Sequence, residues 1–179
     1  EAACKIGRAV NPEHYMRGYH ATSSIGIFGA TTAGGKLWGL SPIELAYAYG
    51  IAASRSSGLR SNFGTMTKSL HAGLAAHDAI MAVSLGKGGY TSNSQILETE
   101  GGFGQVMGRE ANFDKAFQNL GDPLAIISSG VVVKLYPSGA LIHPAVDAVL
   151  GLMRENHIRP AEIVSIRCGT NEDLFKILI

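Results

Sequence analysis

His20, Lys68 and Lys134 sit where chain elements begin or end, beside groups able to move a proton or hold an anion. His20, in GYHATSSIG, stands just before the first turn of a helix whose opening residues carry hydroxyls. The unpaired N–H groups of such a terminus attract carboxylates and phosphates, so an imidazole there can donate to an anion or shuttle a proton near neutral pH. The plainer alternative is a histidine that bonds nearby backbone. Lys68, in TMTKSLHAG, opens another helix, where a cation meets the unfavourable end of the dipole, and His71 follows on nearly the same face. Either the lysine points into solvent or a bound anion compensates it. Lys134 closes the apolar run SSGVVVK, and His143 precedes Pro144 at a further helix start. Strand termination and a local helix-start role explain these two without a ligand, yet element ends far apart in sequence can converge on one pocket.

Other chemistries fit worse. A P-loop requires G-x-x-x-x-G-K-[ST]; counting back from Lys36 the first glycine position holds Ala30, and Leu37 follows the lysine. His71 and His77 are six apart, which turns them to different helix faces, and Cys4 and Cys168 form no C-x-x-C pair, so no metal site is expected. TMTK has threonine where a Ser-x-x-K nucleophile needs serine, and its companion S-D-N and K-T-G elements are missing. GGFGQVMG resembles a dinucleotide loop, but its third glycine is one residue late and no βαβ unit surrounds it, so it reads as an ordinary loop.

The elements that must hold these residues read mostly as helices. In GLSPIELAYAYGIAAS, Ser41 caps, Pro42 suits the first turn and Glu44 completes a capping box, with Leu45, Ala48 and Ala52 sharing a face. In SIGIFGATTAGGKLWG, Thr22, Ser23 and Ser24 are the cap candidates, and Ile25, Phe28 and Thr32 lie to one side. Its glycines cost roughly 1 kcal/mol each against alanine, which close packing by other backbones must offset. TKSLHAGLAAHDAIMAVSLGKGG predicts a third long helix, with Leu70, Leu74, Met81 and Leu85 in register and Ile80 and Val83 widening the apolar surface, as for a helix surrounded by neighbours. Asn112 caps a short helix over FDKAFQNL, and IHPAVDAVLGLMRENH carries Ile142, Val146, Val149, Leu150 and Met153 at helical spacing. Strand is expected only near residues 126–134 and 163–168.

Composition limits the partners. With 179 residues, 46% of them hydrophobic, the chain can bury a core, and 15 basic against 14 acidic residues give a net charge of +1. No basic run points to nucleic acid or a membrane surface, and the opening EAACKIGRAV has neither an initiating methionine nor an apolar leader core. Such a composition predicts a reducing compartment, the cytoplasm, or the mitochondrial matrix in a eukaryote.

Taken in order, GYHATSSIGIFGATTAGGKLWGLSPIELAYAYGIAASRSSGL, TMTKSLHAGLAAHDAIMAVSLGKGGYT, ILETEGGFG and VVVKLYPSGALIHPAVDAVLGL resemble the MmgE/PrpD family. That family includes 2-methylcitrate dehydratases, cis-aconitate decarboxylases and an iminodisuccinate epimerase. The resemblance implies a mainly α fold: a partial helical domain over residues 1–160, followed over 161–179 by the first strand of a smaller α/β lid. It also implies a homodimer and a site between the domains that uses no cofactor and acts on a small di- or tricarboxylate by proton transfer beside a carboxylate. By the same resemblance His20 and Lys68 are catalytic, and Thr22, His71, Lys134 and His143 bind substrate. The implied activity is a lyase of the 2-methylcitrate dehydratase type, with decarboxylation of cis-aconitate or epimerisation of iminodisuccinate as alternatives. Relatives carry an upstream aspartate and histidine and a fuller lid that this sequence does not contain, and many have cysteine or histidine near Gly139. The chain therefore resembles an internal piece of an enzyme, and a helical association segment without turnover is the non-enzymatic alternative.

Overall fold

In the computed structural model the chain is built from helices joined by short irregular segments, and the structure describes residues 1–172 and 174. It divides into two compact units, 1–130 and 131–179. The first contains α1 (Ala2–Val10), α2 (Glu13–Met16), α3 (Ala21–Ser24), α4 (Gly26–Leu37), α5 (Pro42–Arg55), α6 (Met66–Lys87), α7 (Phe103–Gly108), α8 (Phe113–Phe117) and α9 (Ala125–Ser128). The mainly helical reading holds.

The centre of the first unit is the packing of α4, α5 and α6, with α1 laid against α4 and α8. α5 starts as its sequence dictates: Ser41 Oγ accepts from Glu44 N at 3.4 Å, and Glu44 Oε2 accepts from Ser41 N at 2.7 Å. Three glycines inside α4 each meet a different neighbour. A Cβ on Gly29 would stand 3.0 Å from Ala3 Cβ, on Gly34 3.3 Å from Val83 Cγ2, and on Gly35 2.8 Å from Leu45 Cδ1. Close approach to α1, α6 and α5 thus offsets the propensity cost of glycine in a helix. Phe28, fully buried on the same helix, meets Tyr49 and Phe103 edge-on at 5.6 and 4.7 Å between ring centroids. Asp78 of α6 takes two bonds from Arg55 of α5, at 3.2 and 3.1 Å, which ties the two long helices together.

Several local expectations are corrected. Thr22, Ser23 and Ser24 do not cap: they are themselves the body of the four-residue α3, whose N-cap is His20, and the chain bends at Ile25 before α4. GGFGQVMG is not a loop but contains α7, because its glycines admit close packing; a Cβ on Gly108 would stand 2.8 Å from Val10 Cβ. α6 buries His71, Ala75, Asp78, Ala79, Ala82, Val83 and Gly86, whereas Leu70, Leu74, Ile80 and Leu85 of the expected core face are exposed. Small residues face inward since α4 and α5 approach α6 closely. The segment expected as strand near 126–134 begins as the short helix α9, and 163–168 forms no ladder among the described residues. A strand needs a second strand to take up its backbone groups.

The second unit holds α10 (His143–Glu155), entered through Pro144 at its first turn as expected. Tyr136 donates to Asp147 on this helix, and its ring meets His143 edge-on at 5.1 Å. Residues 161–179, where the lid is expected to begin, belong to this unit; of them, 173 and 175–179 lie outside the described residues.

Candidate functional site

His20 is fixed through its backbone. The segment 18–20 runs beside 58–60: Arg60 N donates to Gly18 O at 2.8 Å, His20 N to Gly58 O at 2.9 Å, and a bridge links Tyr19 with Leu59. Gly58 has φ +113°, a region that favours glycine, and a Cβ there would stand 2.8 Å from Ser23 Cβ and 3.5 Å from His71 Nδ1. His20 O then receives Ser23 N and Ser24 N at 2.9 and 3.1 Å, closing the first turn of α3.

Beneath this turn lies a histidine that the sequence did not single out. His14 is fully buried and stacked on Tyr19, and its Nε2 lies 2.7 Å from Ser24 Oγ. Ser24 Oγ in turn donates to His20 O at 3.1 Å. A hydroxyl has one proton to give. Ser24 Oγ and Met107 O, the latter 3.3 Å from Nδ1, therefore compete for the single proton of the neutral His14 ring. Burial, ahead of the neighbouring Arg17 charge, pushes the His14 pKa below its ordinary value despite the Met107 carbonyl. No periodic pattern marks this residue; its role depends on contacts made only in the fold.

The ring of His20 meets α6. Its Nδ1 lies 2.9 Å from Nδ1 of His71, and both side chains are buried. Ser23 Oγ donates to His71 O at 3.2 Å, fixing α3 on the first turns of α6. Phe63 packs on His20, edge-on at 4.8 Å, and Lys68 Nζ stands 5.0 Å from the centre of the same phenyl ring. Burial lowers the His20 pKa below the usual histidine value, and the charges of His71 and Lys68 lower it further. His20 is therefore a neutral base beside an exposed cation.

His20, Lys68 and His71 are thus brought together, with Thr22 exposed on α3 two residues from His20. Lys134 and His143 belong to the second unit: Lys134 is exposed in an irregular segment, and His143 begins α10 with a buried Nε2 that lacks a partner. Phe63 and Gly58 complete the site without a sequence signal for that role, since periodicity does not mark Phe63 in its loop and Gly58 reads only as a helix stop after SRSS. A concavity of about 540 Å³ elsewhere in the first unit is bounded by Glu98, Glu100, Glu110 and Asp114 as well as Arg109. So many carboxylates suit an anionic ligand poorly. Among the described residues no group of three or more His, Cys, Asp or Glu side chains is placed to hold a metal ion.

Residues 1–116 match the MmgE/PrpD N-terminal domain. A cis-aconitate decarboxylase of Aspergillus terreus is 31% identical over 163 residues, which is 86% of this chain and 33% of that protein. The human cis-aconitate decarboxylase is 30% identical over 152 residues, 82% of this chain and 31% of its own length. The mouse enzyme of that name is 29% identical over 137 residues, 76% of this chain and 28% of its own. The chain spans about a third of the length of the curated relatives it matches.

Proposed function

Because the chain belongs to the MmgE/PrpD family, we propose that it carries the proton-transfer half of a cofactor-independent lyase site for a small di- or tricarboxylate. The observation that bears most weight is the neutral, buried His20 beside the exposed ammonium of Lys68. Removing a proton from carbon next to a carboxylate builds negative charge on that carboxylate, and a prearranged cation stabilises this developing charge more than the ground state. Lys68 supplies that cation, His20 takes or returns the proton, and Thr22 lies close enough in sequence to meet a carboxylate at the same turn. Lys134 and His143 are proposed as substrate-binding residues on the family resemblance alone.

Among specific reactions the reading takes cis-aconitate decarboxylation first, because that is the activity named for the curated relatives, and 2-methylcitrate dehydration, which the sequence blocks suggested, second. Homodimerisation belongs to the same reading, supported by the exposed Leu70, Leu74, Ile80 and Leu85 along α6. So does a lid beginning near residue 161. A reducing compartment, cytoplasm or mitochondrial matrix, suits two free cysteines, Cys4 and Cys168, both exposed. Among the described residues no helix is long and apolar enough to cross a membrane.

A substrate panel tests the proposal. Incubation with cis-aconitate, 2-methylcitrate and iminodisuccinate, followed by product analysis, is expected to show turnover of one polycarboxylate. Carbon dioxide release from cis-aconitate supports the decarboxylase reading, and interconversion of 2-methylcitrate with its dehydrated product supports the hydro-lyase. Absence of turnover on all three would leave the helical association role.

A further inference from the structure

We propose that His71 is the proton-carrying partner of His20, the two rings sharing one proton between their Nδ1 atoms, rather than a second hand on the substrate. The inference rests on the reading of His20 as an acid–base group but adds a residue and a step to it.

The geometry requires unlike rings. Two Nδ1 atoms 2.9 Å apart form a hydrogen bond only if one bears the proton and the other presents a lone pair. The donor ring then has a bare Nε2, which is a base, and the acceptor ring carries Nε2–H, which is a hydrogen-bond donor. Neither Nε2 makes a hydrogen bond among the described residues, and neither is wholly shut off from solvent. In an apolar setting under Phe63 a second proton on the pair destroys the bond and places two charges in contact. The pair is built to hold one extra proton and to resist two.

The direction of transfer follows from the surroundings. Lys68 and His71 of α6 are the charged and titratable groups acting on His20. The loop contributes the Phe63 ring, while the Arg60 guanidinium turns to Tyr15, 4.0 Å from its ring centre. Positive charge on His20 is opposed by burial and by the neighbouring ammonium. In dehydration or epimerisation His20 Nε2 takes the proton as the C–H bond breaks, and the electron pair stays on the substrate, delocalised onto the carboxylate. The Nδ1–H proton of His20 passes to Nδ1 of His71. His20 becomes the neutral Nε2–H tautomer, and His71 carries the charge until the step reverses or the proton is delivered. In decarboxylation the C–C bond to the departing carbon dioxide breaks instead, and the same transfer runs in reverse. His20 Nε2–H gives its proton to the carbanion while His71 returns one to His20 Nδ1.

Imidazole NMR on protein labelled with 15N histidine decides this. At mildly alkaline pH the expected spectrum has His20 as the Nδ1–H tautomer, His71 as the Nε2–H tautomer, and a scalar coupling across the N–H···N bond. On acidification both rings should shift together in a first one-proton step. In His71→Asn the coupling should vanish and the His20 pKa should rise. Both rings as Nε2–H tautomers without coupling in the wild type, or two independent titrations, would overturn the proposal even if the variant failed to fold. Tricarballylate, an unreactive tricarboxylate, separates the two readings: it should draw a proton onto the pair at neutral pH. Coupling without a response to tricarballylate would keep the shared proton and remove the polycarboxylate.

Discussion

An imidazole acts as a base only while uncharged, and the burial of His20 together with the charges of His71 and Lys68 keeps it so. With its pKa lowered, His20 loses its proton below the usual histidine pH, so the rising limb of kcat against pH is expected on the acid side of that value. Lys68→Met removes one depressing charge and should move the limb to higher pH, which a pH–rate series measures. The same substitution should weaken binding of a dicarboxylate analogue and reduce turnover. It should leave the fold intact, because the lysine is exposed and its ring contact with Phe63 is worth about 0.5–1 kcal/mol. At this scale His20, Lys68 and His71 were legible because each stands in a short block at an element end. His14, Gly58 and Phe63 were not, since a buried hydrogen-bond relay and a loop closing over a ring leave no periodic trace.

α6 is held by small residues and by one ion pair, and both can be tested. A Cβ on Gly86 would stand 2.8 Å from the backbone oxygen of Glu44 and 3.2 Å from Ala48 N, atoms that cannot rotate away. Gly86→Ala should therefore destabilise the protein by about 1–3 kcal/mol. Gly73, on the same helix, has open space where its Cβ would be, so Gly73→Ala should stabilise by up to about 1 kcal/mol through helix propensity alone. Denaturant titration of both variants checks the contrast. For Asp78, burial works against ionisation, but hydrogen bonds from Arg55 and His77 outweigh it and hold the carboxyl below its ordinary pKa. Its contribution is present above the unfolded-state pKa and is lost as pH falls through the lower folded value; Asp78→Asn should flatten that acid limb of stability. The capping box of α5 was readable because it is local, spanning Ser41 to Glu44. The buried side of α6 was misread because large apolar residues were taken as the core face, while close packing against α4 and α5 selects Ala75, Ala79, Ala82 and Gly86.

Across the whole molecule, the mainly helical architecture and the family were legible from several blocks in one order. The division between Gly130 and Val131 was not, since no change of composition marks it. Activity should survive EDTA, because no cluster with metal-ligand geometry occurs among the described residues; loss of turnover with EDTA, restored by a divalent ion, would contradict the metal-free reading. The central claim, that His20 moves a proton on a carbon beside a carboxylate, is tested most directly by deuterium incorporation from heavy water. Dehydration run to equilibrium and epimerisation exchange such a hydrogen with solvent, and decarboxylation takes one up into its product, so mass spectrometry of recovered 2-methylcitrate or iminodisuccinate and of the products of all three substrates reads each reaction. The wild-type protein is expected to incorporate deuterium, and His20→Ala to slow incorporation by about 10²–10⁴-fold. Equal incorporation by the two proteins would contradict the account.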